Sequence, residues 1–307
     1  MTKKKCVAII ITYNGKKWYD RCFQSLLSSS ILMKIIAVDN KSTDDSVSYI
    51  TSKFPEVEII KNKENYGFAK ANNIGLSLAY KKNYDYYFLL NQDAWVEYNT
   101  IETLITVAEK RQDFGIFSPI HLTADKTFFD KNFTKYFCNY SKTLHAYENL
   151  YLGKSEPILY ESHFINAAAW LLSRKCIEVV GGFDTILFSH YGEDSNYCQR
   201  VLFHNLKIGI VPAVTVCHDR ATRINEPCDL HIDYSVIWGN ILKTYFGCLS
   251  AIFIMAYKEG RGIEGGIKGL IWAMKNIIKI HKSRKINKIE GKGQKYIDNI
   301  YKKKNMF

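Results

Sequence analysis

Proline is scarce in this chain, 5 among 307 residues, while 47% of residues are hydrophobic and 14% aromatic. That balance excludes a disordered or low-complexity chain and leaves ample material for a large core, either one large domain or a domain with an appendage. No apolar run reaches the roughly 18–20 residues that a membrane-spanning helix needs. The longest candidate, Tyr245 to Tyr257, is shorter and is followed by Lys258, Glu259 and Arg261. The eight cysteines contain no CxxC pair, and their spacing suggests no zinc cage. The opening residues, MTKKKCVAIIITYNG, lack a small-residue cleavage site after their apolar stretch. A buried first strand is therefore expected there rather than an export signal, with reduced thiols in a cytosolic protein. Acidic residues are also short, 30 against 42 Lys and Arg, for a net charge of +12. The imbalance is local: from Lys258 to Phe307 there are 14 basic and 4 acidic residues, against 28 and 26 in all that precedes.

What is present has a clear order in the first half, where short apolar runs alternate with helix-length amphipathic stretches, the pattern of parallel βαβ units. Cys6–Ile11, Ile35–Val38, Val57–Ile60 and Tyr86–Leu90 predict strands. Helices are predicted from about Lys17 to Leu27, from a Thr43 N-cap to about Lys53, and from about Phe68 to Tyr80. The strand runs are continuously apolar, as burial on both faces requires. Ligands of open parallel sheets bind at the carboxyl ends of the strands. Thr12 and Asn14, Asp39, and Asn91-Gln92-Asp93 fall there. Three strands thus send polar groups to one edge, which weighs more than any single residue, since a lone polar strand end is often only a helix cap. The second half is less regular. Residues 123–157 are polar and aromatic without a period and read as a variable segment lining a site. An apolar run, Ile165 to Leu172, then precedes a helix over about Arg174–Val180, the Gly181-Gly182-Phe183-Asp184 turn, a helix over about Glu193–Asn205, and a strand pair, Lys207–Val211 and Val214–Cys217.

Four blocks carry a resemblance: VAIIITYNG at 7–15, VDNKSTDDS at 38–46, ENYGFAKANNIG at 64–75 with LLNQDAW at 89–95, and GGFDTILFSHYGEDSNYCQR at 181–200. In this order they are similar to the family 2 inverting glycosyltransferases of GT-A fold, close to bacterial rhamnosyltransferase-like members. The resemblance implies an α/β catalytic domain over residues 1–230, with a mainly parallel central sheet flanked by helices, and a basic helical region over 231–307.

It also implies roles for individual residues. Asp39 matches the carboxylate that contacts the nucleoside base, with Thr12 and Asn14 lining the same pocket; a turn-forming Asp capping the next helix is the plainer reading of Asp39. Tyr13 either stacks on the ligand or packs. Asn65, Gly67, Ala71, Asn73 and Gly75 match the pattern NxGxxxARNxG, which puts Asn65, Gly67 and Asn73 at the nucleotide, with Asn72 where many members have Arg, and Gly67 serves either close backbone approach or a tight turn. Asn91-Gln92-Asp93 stands at the DxD position, so that Asn91 and Gln92 fall on the nucleotide and Asp93 is the one carboxylate left for a divalent metal, Mg²⁺ or Mn²⁺; the plain alternative is a cap for a helix starting near Val96. Glu193-Asp194 matches the ED pair, making Asp194 the base that deprotonates the acceptor and Glu193 a positioning group. Acidic residues also favour helix N-termini for electrostatic reasons alone. His218 matches a histidine that completes the metal or diphosphate site, and Arg220 and Arg223 either bind diphosphate or are solvated. Gly182, Phe183 and Asp184 are expected to shape the loop presenting the base, Asp184 and Trp170 lie on the acceptor side, packing being the safer reading of Trp170, and Arg200 is expected to pair structurally.

The implied reaction transfers a sugar from a dTDP- or UDP-linked donor, dTDP-rhamnose or a UDP-hexose, to a saccharide or lipid-linked saccharide in cell-surface polysaccharide synthesis, lipopolysaccharide or capsule. The basic tail suits the inner face of the cytoplasmic membrane, where the protein would be peripheral, and no nucleic-acid motif accompanies the charge. A helix over about Ile263–Ile280 fits that surface and packing on the catalytic domain equally well. Two alternatives remain: a nucleotidyltransferase, whose Gly-rich basic N-terminal loop is lacking, and a non-catalytic binding protein on a decayed transferase fold, which Asn91 and Asn72 favour.

Overall fold

The computed structural model describes residues 4–137, 141–154, 157–188, 191–220 and 230–297. The first half follows the predicted alternation: β1 (Cys6–Thr12), α1 (Lys16–Leu27), β2 (Lys34–Asp39), α2 (Ser46–Lys53), β3 (Glu58–Lys61), α3 (Gly67–Lys81) and β4 (Tyr86–Asn91). Then come β5 (Ala94–Val96), α4 (Thr100–Lys110), β6 (Phe114–Thr123), α5 (Lys131–Phe137), α6 (Ser141–Leu152), β7 (Tyr160–Ser162) and β8 (Ala169–Ser173). The chain continues through α7 (Arg174–Val180), α8 (Glu193–Phe203), β9 (Lys207–His218), α9 (Leu230–Gly239), α10 (Tyr245–Lys258) and α11 (Gly262–Asn287). Two boundaries differ from expectation. Thr43 does not cap α2, which starts after Asp45; its backbone N–H and hydroxyl are instead engaged by Asn14. The strand pair after α8 is one strand, β9, which runs through Pro212.

Among the described residues the strands form one nine-stranded sheet in the order β3-β2-β1-β4-β8-β6-β9-β5, with β7 also on β9. β3, β2, β1 and β4 are parallel, while β8 runs antiparallel to β4 and to β6, and β5 and β7 antiparallel to β9. The expected parallel character therefore runs through the first half and returns between β6 and β9, with antiparallel pairs between them. Alternate residues of β1 serve two cores: Val7 and Ile9 face α3, α7 and α8, whereas Ala8 and Ile10 face α1, α2 and α4. This two-sided burial explains the unbroken apolar runs.

The chain after residue 230 is bound into this body. α9, α10 and α11 share a small core of Tyr234, Trp238, Cys248, Ile252, Ala273 and Ile280. Beyond α11, Ile297 joins the larger core with β1 and β2 residues. Gly291 N–H donates to Val179 O, and Gly182 N–H to Gly293 O. Gly181 has φ +83, and a Cβ there would lie 1.9 Å from the Gly293 carbonyl carbon, so the two backbones meet where no side chain fits. Among the described residues no helix is long and apolar enough to cross a membrane.

Candidate active site

The parallel half delivers its polar residues to one edge because β1, β2 and β4 end in register: Thr12 pairs with Asp39, and Ile11 with Asn91. Asp39 is buried, and its carboxylate accepts from the Ser42 N–H at 3.0 Å, the Ser42 hydroxyl at 2.6 Å and the Thr12 hydroxyl at 3.2 Å. The turn reading of Asp39 is thus satisfied locally, and its carboxylate still stands at the strand end. Asn14, at φ 46, accepts from Thr43 N–H and donates to its hydroxyl, tying the β1 turn to the β2 turn. Gln92 holds the Tyr13 backbone from both sides, accepting from its N–H at 2.9 Å and donating to its carbonyl at 3.0 Å. The Tyr13 ring is left 42% exposed beside this edge.

Other expected nucleotide residues have structural duties. Asn65 accepts from Gly67 N–H, and Gly67, at φ 73, opens α3. Asn73 is wholly buried and commits both amide atoms to Phe183, donating to its carbonyl at 2.8 Å and accepting from its N–H at 2.7 Å. It therefore clamps α3 to the Gly-Gly-Phe-Asp turn and does not face the strand-end edge. Asn91 sits at the end of β4, its backbone N–H donated to Ala168 O.

The second half builds a row of buried ionisable groups. His218 ends β9 opposite Ala94, with Asp93 immediately before β5. His218 Nε2 lies 3.3 Å from Asp93 Oδ1, and His218 Nδ1 lies 3.5 Å from Asp130 Oδ2, all three side chains being nearly inaccessible. Asp130 was not legible as a functional residue; it lies in the aperiodic segment, where it also accepts from the Asn132 and Phe133 N–H groups at the start of α5. Its other oxygen accepts from Arg220 Nε at 2.6 Å. The Arg220 guanidinium outweighs burial here, together with those N–H bonds, and holds the Asp130 carboxyl below the usual carboxylate range. Beside the row, His121 stacks on Phe133 and is kept neutral, its pKa pressed down to about 3 chiefly by burial. Arg223 lies outside the described residues.

Glu193 and Asp194 open α8 directly after Gly192, whose φ of 79 sets the turn. Burial raises the pKa of Asp194, opposed by N–H bonds from Ser195 and Ala167 and by the charge of Arg220. Glu193 is 6% exposed, its Oε2 has no hydrogen-bond partner, and burial with the neighbouring Asp194 charge pushes its pKa to about 8. Burial thus raises both carboxyls: the Glu193 value of about 8 favours its protonated form at neutral pH, and Asp194 has hydrogen-bond donors that work against its own rise.

Asp184 and Trp170 do not face an acceptor. Asp184 is completely buried, one oxygen accepting from the Ile186 and Leu187 N–H groups and the other from Ser283 and Asn287 of α11. Trp170, in the middle of β8, is 0% exposed and stacks on Phe183. Packing in the interior beneath the turn that leads to α8 replaces the expected acceptor contacts. Arg200 is structural, as expected, donating to the Gly182 and Val180 carbonyls between the Tyr197 and Tyr296 rings.

A mixed sheet with polar strand tips and an acidic helix start is the architecture of the GT-A glycosyltransferase class. Residues 7–179 match the family described as glycosyl transferase family 2, and the chain belongs to that family. Among curated relatives, it is 24% identical to dTDP-rhamnosyl transferase RfbF of Shigella flexneri over 226 residues, 73% of this chain and 72% of the relative. The fold is similar to that of S. aureus TarS 1–349 in complex with UDP-GlcNAc, with TM-score 0.60 and 12% identity over 97% of this chain and 92% of that one. It is also similar to GalNAc-T7 with UDP, GalNAc and Mn²⁺, with TM-score 0.58 and 16% identity over 76% of this chain and 48% of that one. Membership of the family sets aside the nucleotidyltransferase alternative.

Proposed function

We propose that this glycosyltransferase moves a sugar from a dTDP- or UDP-linked donor to a saccharide or lipid-linked saccharide by a single inverting displacement, with Asp194 as the base. The observation that carries this reading is the pairing of two features: β1, β2 and β4 end in register with Thr12, Asp39 and Asn91 at one sheet edge, and an acidic pair, Glu193 and Asp194, opens α8. A nucleotide edge and a candidate base are thus both present in one body.

Asp194 would accept the proton of the acceptor hydroxyl as its oxygen attacks the anomeric carbon and the bond to the diphosphate breaks. Its burial raises its basicity, and the Ser195 and Ala167 N–H groups hold it in place as an anion before the transfer. Protonated Glu193 adds no second negative charge beside it and has an oxygen free to orient the acceptor. Asp39 and Thr12 would hold the nucleoside, with Asn14 and Gln92 fixing the turns around it.

Among the described residues no three His, Cys, Asp or Glu side chains are grouped as a metal cage. The facing Asp93 carboxylate and His218 imidazole offer two ligands, a donor set that suits Mg²⁺ or Mn²⁺ shared with a diphosphate rather than held by protein alone. Such an ion would neutralise charge on the departing diphosphate. Asp130 would keep His218 Nδ1 engaged and Nε2 turned to Asp93. The likeness to dTDP-rhamnosyl transferase RfbF favours dTDP-rhamnose as donor, and the basic C-terminal region favours a lipid-linked acceptor at the inner face of the cytoplasmic membrane.

The test is a thermal-shift panel of UDP, dTDP, GDP and CMP with and without Mn²⁺, since a ligand that binds only the native state raises the melting temperature. A Mn²⁺-dependent rise with dTDP or UDP is expected. No rise with any of the four at millimolar concentration would overturn the donor and metal assignments.

A further inference from the structure

α11 carries two apolar faces, and only one of them is used by the fold. Gly265, Gly269, Ala273, Ile280, Ser283 and Asn287 are buried against the body. The opposite side presents Ile263, Ile267, Ile271, Met274 and Ile278, spaced four, four, three and four residues apart, which keeps them in one stripe at about 100° per residue. They are 75%, 47%, 47%, 73% and 80% exposed. Alongside the stripe, on the flank away from Ile277, the same spacing lines up the exposed Lys268, Lys275, Lys279 and Lys282. Lys268 pairs with Glu264, and no other acidic residue lies on α11. α10 repeats the device on a smaller scale, with Phe246 and Tyr257 77% and 81% exposed and Ile254 between them. A large exposed apolar surface on a monomer marks a binding face. A stripe of isoleucines bordered by a row of lysines is the arrangement of a helix lying in a lipid interface, with ammonium groups at the headgroups.

We propose that the outer face of α11, extended by α10, docks the enzyme on an anionic lipid bilayer, the isoleucine and methionine side chains entering the acyl boundary and the lysines meeting phosphate headgroups. The occupant follows from charge: the chain from Lys258 onward carries a large basic excess, whereas the rest is nearly balanced. This deepens the membrane placement given above and names its surface, but it does not depend on which sugar is transferred.

The test is co-sedimentation of the full chain with vesicles of phosphatidylglycerol and phosphatidylethanolamine, against vesicles of phosphatidylcholine alone. Binding to the anionic vesicles is expected, weakened at least tenfold by K268Q/K275Q/K279Q/K282Q or by raising salt to 0.5 M. I271S/M274S/I278S is expected to abolish it while leaving the melting temperature and the nucleotide-induced shift unchanged. Wild-type protein that ignores anionic vesicles, or a triple variant that still binds them, overturns the proposal. So does a wild-type dimer in light scattering that the triple variant converts to monomer, because the stripe would then join two copies. A protein that binds vesicles but shows no nucleotide shift leaves this surface standing and removes the donor assignment instead.

Discussion

The two halves of the sheet handle polar groups in opposite ways. At the tips of β1, β2 and β4, carboxylate and amides are satisfied by neighbours a few residues away or one strand over: Asp39 by Ser42 and Thr12, Asn14 by Thr43. In the half built on β8, β6 and β9, partners are distant in sequence: Asp130 with Arg220, Asp93 with His218, Asp184 with Ser283 and Asn287. The first arrangement shapes a surface for a ligand at small cost. The second holds ionisable groups out of water, where their protonation and orientation depend on the whole fold, and there we place the proposed chemistry.

Four substitutions sharpen that contrast. The largest effect is expected for D194N, a hundredfold to ten-thousandfold fall in kcat with the nucleotide-induced melting shift intact; turnover within tenfold of wild type would remove Asp194 as base. Next is D184A, which leaves Ser283, Asn287 and two N–H groups without their buried acceptor and should cost about 2–4 kcal/mol of stability. Urea unfolding measures it, and a wild-type midpoint would show that α11 does not brace the loop. D93A should weaken Mn²⁺-dependent nucleotide binding about 10–100-fold, comparable with losses at metal sites elsewhere, and leave metal-free binding alone; equal loss in both conditions would make Asp93 a scaffold residue.

The last and most diagnostic effect is that of E193Q on stability against pH. The folded-state pKa of Glu193 is raised, from 4.5 to about 8. Its protonated form therefore contributes stability fully present below the unfolded pKa and lost as pH rises through the folded one. Glutamine removes that dependence, so E193Q should match wild type near pH 4 and exceed it by about 4–5 kcal/mol at pH 8. A difference that does not change between those pH values would mean that folding leaves the Glu193 pKa unshifted.

Much of the first half was legible because β1, β2 and β4 are buried on both faces and read as continuous apolar runs. β6 was not. Its sequence FGIFSPIHLT contains Pro119, which ordinarily argues against a central strand. The strand survives between β8 and β9 because a register shift at Pro119/Ile120 takes up the missing donor. Asp130 escaped notice for a related reason, since its partners lie in β9 and just beyond it, and no local spacing announces them.

The sequence by itself determined the βαβ order, the polar strand-end edge, the acidic start of α8 and the basic C-terminal region, since each is written in short-range pattern. The tertiary structure decided which of those polar groups remain available. It took Asn73, Asp184 and Trp170 into the interior, turned one face of α11 to the core and left the other outside. It also set Asp130 behind His218. The physical reason is that burial and partner choice depend on contacts between residues about a hundred positions apart, as in Asn73 with Phe183 and Asp184 with Asn287. No window of local sequence contains both ends of such a contact.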